Sequence, residues 1–172
     1  NIIDFYRPFI NLEKNYKIKL LFEFLRLLNP KALFNINSQL CWDMIDQWGI
    51  QLKGKLKIYS YLFCGEKDLN GFMNGYPYKY FDSTFETHEE FITDSSVLKK
   101  YLINKFKLKD KLSKKIRFVK TPIENTIIKS EKVITEKFRV YWAGRLDHQK
   151  RPDILSRIAK KLPQFDFFVW GK

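Results

Sequence analysis

The sequence predicts an α/β fold, a parallel sheet with helices on both faces. Three observations carry that expectation. Short runs of apolar, β-branched and aromatic residues alternate with amphipathic helical stretches, the pattern of repeated β-α-β units. The run at 56–63 is almost continuously apolar, as expected of a strand buried on both faces. A polar stretch at 125–137 separates four such strands from a fresh β-α-β unit at 138–171.

The elements follow in order. Residues 1–13 show no clear pattern. Lys14–Leu28 reads as a helix in which Ile18, Leu21, Phe22, Leu25 and Leu28 mark one face, widened by Leu20, Phe24 and Leu27. A helix this apolar belongs between layers. The alternative is a helix on a membrane, with Lys14, Lys17, Lys19 and Arg26 at the headgroups. Burial is favoured because Asn29-Pro30 ends the helix and a strand, Ala32–Ile36, follows at once. Asn37-Ser38 reads as turn and cap for a helix over Gln39–Trp48, and Gly49 ends it. After the strand at 56–63 comes a long loop, 64–86, holding Gly65, Gly71, Gly75 and Pro77 with Tyr76, Tyr78 and Tyr80. Loops of this length usually carry function or move. A short strand at 90–93 leads to Asp94, Ser95 and Ser96, which cap a helix at 97–106. A strand at 116–119 closes the series.

The second β-α-β unit has a strand at 138–142, ended by Gly144. Pro152 suits a first helical turn, and Asp153 suits its positive end. Ile154, Leu155, Ile158, Ala159 and Leu162 then recur at helical spacing. Pro163 stops the helix, and a strand at 165–170 runs to Gly171. The expected organisation is the second part of a Rossmann-like domain over 1–124, a linker over 125–137, and the opening β-α-β of a second domain over 138–172, which is only begun.

Composition bounds the rest. The 172 residues are 45% hydrophobic, enough for a real core and one to two domains. The chain opens on Asn1 rather than Met and reads as a fragment. It has no apolar run long enough to cross a membrane and no signal-peptide pattern, so a cytoplasmic location is expected. Cys41 and Cys64 are too few for a disulfide framework or a metal site and read as reduced thiols. The net charge of +13 points to phosphates, anionic lipid headgroups or nucleic acid. The wealth of Phe, Tyr, Ile and Asn ascribes part of the Lys excess to genome composition. Basic residues concentrate at 99–120, where Asp110 is the sole acid. That stretch is either a solvated face or a membrane-facing patch.

One loop carries chemistry. Gly144, Arg145, Lys150 and Arg151 lie between a strand and a helix N-terminus, where unpaired N–H groups and the helix dipole favour a bound phosphate. Gly144 lets backbone approach a ligand. Arg145 offers a planar fork to phosphate oxygens and Lys150 a point charge. A surface loop with solvated cations fits the same spacing. His148 is either an oxygen donor in this loop or a solvent-exposed histidine.

The run Ala143-Gly144-Arg145-Leu146, with Lys150, an amphipathic helix and Phe167-Phe168-Val169-Trp170-Gly171, resembles the start of the donor-binding domain of family 4 (group 1) retaining glycosyltransferases. These enzymes have the GT-B fold, built of two Rossmann-like domains. The resemblance is motif-level over 138–171 and architectural elsewhere. Where the family often has Gly after the Lys, this chain has Arg151-Pro152. The resemblance implies that Gly144, Arg145 and Lys150 hold the diphosphate of a nucleotide sugar without a metal or other cofactor; His148, in the same loop, is a further candidate from its position alone. It implies transfer to a glycan or lipid-linked acceptor, in bacterial cell-surface polysaccharide synthesis. It also implies a cytoplasmic protein, with peripheral contact at the inner membrane face open. The family's acidic pair falls downstream of Lys172, so no catalytic residue is assigned and the fragment alone is expected to be inactive. The competing reading is a non-catalytic basic Rossmann-like module that binds phosphate or nucleic acid.

Other constellations are weaker. Glu66-Lys67-Asp68 resembles the acidic metal pair of the other major glycosyltransferase fold but reads better as a turn. His88, beside Glu89 and Glu90, reads as a surface residue. Tyr76, Tyr78, Tyr80 and Phe81 either stack on a sugar acceptor or pack the loop. Interleaved basic and aromatic residues suit nucleic acid, but no recognition helix, RNA-recognition or zinc motif is present, so no nucleic-acid partner is expected.

Overall fold

In a computed structural model, residues 9–63, 65–68, 70–120, 138–147 and 150–171 are described. The linker expected at 125–137 and Cys64 lie outside them. The chain divides into two compact units, Asn1–Glu66 with Met73–Pro122, and Lys67–Phe72 with Ile123–Lys172. The elements in order are α1 (Lys14–Leu28), β1 (Ala32–Ile36), α2 (Gln39–Trp48), a 3-10 turn (Gly49–Leu52), β2 (Lys57–Tyr61), β3 (Glu66–Lys67) and β4 (Met73–Asn74). There follow α3 (Tyr76–Lys79), α4 (Phe81–Thr84), β5 (Glu90–Thr93), α5 (Ser96–Lys105), α6 (Asp110–Ser113) and β6 (Ile116–Phe118). The last three are β7 (Arg139–Ala143), α7 (Pro152–Lys161) and β8 (Asp166–Trp170).

The first unit is built on a four-stranded sheet of order β1-β2-β5-β6, parallel throughout. A parallel sheet flanked by helices is the class that the alternation predicts. β7 and β8 pair in parallel as a separate sheet, also as expected.

Burial of β2 alternates, with Ile58 and Ser60 inside and Tyr59 and Tyr61 half-exposed, rather than running through both faces. The sheet order explains this. Strands added in one direction by right-handed crossovers put every connecting helix on the same face. Ile58, Leu62, Phe91 and Ile116 face the core there, against Ile18, Phe22 and Leu25 of α1, Cys41, Met44 and Ile45 of α2, Phe81 of α4, and Leu98 and Leu102 of α5. Among the described residues the opposite face carries no helix. It presents Phe34 stacked on Tyr59, with Ile36 beside them 67% exposed. Burial of α1 on the core face follows the layered reading of that helix, although Leu27 and Leu28 at its end stay exposed. No described helix is long and apolar enough to cross a membrane. The Cys41 thiol is buried, which pushes it up to about 12 and keeps it protonated.

The 64–86 stretch is more structured than a long loop. It folds as the β3–β4 ribbon, then α3 and α4, and its Tyr80, Phe81 and Phe85 enter the core. Packing thus accounts for Tyr80 and Phe81. At the ribbon tip Asp68 Oδ1 accepts the N–H groups of Asn70 and Phe72, each at 2.9 Å, which supports the turn reading for Asp68, whereas Glu66 belongs to β3.

His88 is not a surface residue: it is 2% exposed. Its ring lies against Trp42 and Phe91, with centroids 5.5 and 4.2 Å away. Nδ1 lies 2.8 Å from the Thr84 carbonyl and so carries the proton, which leaves Nε2 to accept from the Ser60 hydroxyl at 2.7 Å. Burial is the main force lowering the ring to about 4. The hidden partner is Ser60, an inward polar residue within an apolar strand.

Candidate functional site

The cation loop grows from the carboxyl end of β7. The ladder continues one residue past the strand, where Gly144 N–H donates to the Trp170 carbonyl at 3.0 Å. A Cβ on Gly171 would lie 2.3 Å from the Gly144 carbonyl oxygen and 3.2 Å from Leu146, so two strand ends meet at a distance only glycine permits. A Cβ on Gly144 would sit 3.6 Å from Lys150 Cγ, which places the Lys150 stem beside that glycine.

Asp147 organises the turn between them. Its Oδ1 and its carbonyl accept the Lys150 N–H at 3.1 and 3.2 Å, and its Oδ2 lies 3.1 Å from Arg145 Nε. The Lys150 ammonium is exposed and makes no ion pair among the described residues. His148, the fourth expected residue, lies outside the described residues.

Arg151 behaves differently. It precedes α7 with φ 53°, in the left-handed region, and Pro152 opens the helix. Its guanidinium grips Asp153 through two contacts of 3.0 Å, and Arg157 reaches the same carboxylate at 3.0 Å. The Arg151 bond foremost holds Asp153 at about 2, below the ordinary carboxylate range. That carboxylate already occupies the positive end of α7. The structure therefore brings Gly144, Arg145 and Lys150 into one loop and turns Arg151 to an internal partner.

In the first unit, α2 and α5 begin at the carboxyl edge of the sheet, where ligands of such sheets bind. Ser38 and Ser95 cap them, accepting from Cys41 N–H at 3.3 Å and Leu98 N–H at 3.1 Å. Asn35 Oδ1 accepts the Ser38 N–H, and Thr93 Oγ1 the Ser95 N–H. Near this edge sits a network that the sequence reading missed. Tyr80 OH donates to Asp43 Oδ1 at 2.6 Å, Lys14 pairs with Oδ2 at 2.8 Å, and Gln39 donates to the Tyr80 oxygen. Burial pushes the Asp43 carboxyl up, but bonds from Lys14, Tyr80 and Gln39 outweigh it and the net shift is down. Burial and the adjacent carboxylate push Tyr80 up. An aspartate flanked by Trp42 and Met44 in an amphipathic helix was the available signal. Tyr76 and Tyr78 remain half-buried, against Trp42 and Tyr101 respectively. No group of His, Cys, Asp and Glu able to hold a metal occurs among the described residues.

No protein-family model matches the chain, and no curated protein matches it. Among solved structures it is similar to a chain of the "Crystal structure of GtfA/B complex", with a TM-score of 0.51 and 18% identity over 91% of this chain. It is also similar to a chain of the "Glycosylation Associate Protein (Gap123) complex from Streptococcus agalactiae", with a TM-score of 0.47 and 13% identity over 92% of this chain. The chain spans about a third of the length of each, 32% and 30%. At these identities the likeness is one of fold.

Proposed function

We propose that this chain is part of a retaining glycosyltransferase, with its second unit opening the nucleotide-sugar site. The observation that carries the reading is the Gly144-Arg145…Lys150 loop between β7 and α7, with one arginine held at Nε by Asp147 and one lysine without an ion pair among the described residues. The fold likeness to a chain of the GtfA/B complex is compatible with it. In the proposed reaction the bond from the sugar C1 to the diphosphate oxygen breaks. An acceptor hydroxyl of a glycan or lipid-linked sugar forms the new bond on the same face, and its proton passes to the departing diphosphate. Arg145 and Lys150 stabilise the departing diphosphate, so the protein's contribution is electrostatic.

A screen of nucleotide sugars with the full-length protein tests this. Each charge-assisted contact to phosphate contributes about 1.5–3 kcal/mol, so Arg145→Ala and Lys150→Ala should each lower turnover by roughly tenfold to a hundredfold. An active double variant would sink the diphosphate assignment. Phosphate binding without turnover of any nucleotide sugar would favour the basic binding module instead.

A further inference from the structure

We propose that the amino edge of the four-stranded sheet is a docking surface for an anionic membrane. The inference concerns the first unit alone and stands whether or not the second handles a nucleotide sugar. The strand starts gather lysines: Lys31 before β1, Lys53, Lys55 and Lys57 at the approach to β2, and Lys114 and Lys115 before β6. Five of them line one open cavity of about 680 Å³ floored by Leu56 and Ile58. The acids in that wall are Glu86 and Glu89, and Glu86 is taken up by Lys53 at 3.5 Å.

The plainest account of such lysines is relief of helix dipoles, since α1, α2 and α5 all end toward this edge. Three helix ends supply about half a negative charge each. The five lysines of the cavity wall against its two glutamates still exceed that, so positive charge is left over. Beside them stand bare aliphatic side chains. Leu27 and Leu28 end α1 at 86% and 56% exposure, and Ile50 in the 3-10 turn is 62% exposed. Lysines interleaved with aliphatic knobs suit headgroups above acyl chains. A surface for single-stranded nucleic acid would offer aromatic rings for base stacking.

The test is co-sedimentation of the chain with vesicles of phosphatidylcholine alone and of phosphatidylcholine mixed with phosphatidylglycerol. Binding to the mixed vesicles only is expected. Each lysine lost should weaken it by about fivefold, so replacing Lys53, Lys55 and Lys57 with Gln should cost roughly a hundredfold. Leu27→Ser with Ile50→Ser should weaken the part of the binding that survives raised salt by severalfold. A charge-matched control replaces Lys19, Lys99 and Lys100, away from this edge, with Gln and should bind within about twofold of the parent. Circular dichroism confirms that each variant folds. An equal loss in the control assigns binding to the net charge and overturns the proposal. So does equal binding to neutral vesicles, or capture of a single-stranded oligonucleotide with no vesicle binding.

Discussion

Replacing Gly171 with Ala should disturb a loop that begins 27 positions earlier in the chain. The added Cβ would lie 2.3 Å from the Gly144 carbonyl oxygen. A carbon and a carbonyl oxygen rest comfortably at about 3.3 Å, so one strand end must retreat by about 1 Å. The obstacle is backbone and cannot rotate away. Overpacking of this kind costs about 1–3 kcal/mol. In a small unit that lowers the melting temperature by roughly 4–8 °C per kcal/mol. The retreat also moves Arg145, the next residue; if Arg145 holds the donor diphosphate as proposed, misplacing it by about 1 Å should cost on the order of a hundredfold in turnover. Differential scanning calorimetry and nucleotide-sugar turnover on full-length protein read the two effects. Gly54→Ala is the contrast: at φ +82° with nothing within 4 Å, it strains the local backbone without moving a neighbour, so turnover should hold. A Gly171→Ala protein with parental melting and parental turnover would refute the close-approach argument.

Three further outcomes are expected. Arg151→Ala should leave donor use within about twofold, because its guanidinium is already engaged by Asp153; a loss as large as that of Arg145→Ala, measured by steady-state kinetics, would contradict the geometry. His88 is neutral in the fold down to about 4, whereas in the unfolded chain it protonates near 6.5. The unfolded state therefore binds the extra proton first, and stability should fall as pH drops from 6.5 towards 4, by up to about 1.4 kcal/mol per pH unit. Urea titrations across that window should show a flatter slope for His88→Gln. Tyr80→Phe removes a hydrogen bond to a buried carboxylate and should cost about 1.5–3 kcal/mol in the same titrations, and a neutral result would mean that Lys14 and Gln39 suffice.

The sequence made the long elements legible because they are periodic. Ile18, Phe22 and Leu25 mark the buried stripe of α1, and β1, β2, β5 and β6 each stand as short apolar runs. The short elements gave no such signal. α3 and α4 have four residues each, too few to show a helical period, so their stretch read as loop. One-sided coverage of the sheet depends on strand order, which no local pattern encodes. His88 was misread because its neighbours are acidic, while its partners Ser60 and Trp42 are distant in sequence. In the cation loop Gly144, Arg145 and Lys150 were legible from spacing and resemblance. Asp147 as its organiser and Gly171 as its backstop were not, since both act through contacts across a turn or between strands.

The face of the first sheet that no described helix covers has a colloidal consequence. A molecule with net charge +13 carries an adhesive patch around Phe34, Ile36 and Tyr59. In dilute salt the repulsion between molecules reaches about 10 Å or more and keeps such patches apart. Near molar salt it shrinks to about 3 Å, and the attraction between apolar surfaces goes unopposed. Dispersion of the chain is then set by ionic strength more than by its folding stability. High-salt buffers, chosen to suppress adhesion to polyanions, would promote adhesion of the chain to itself.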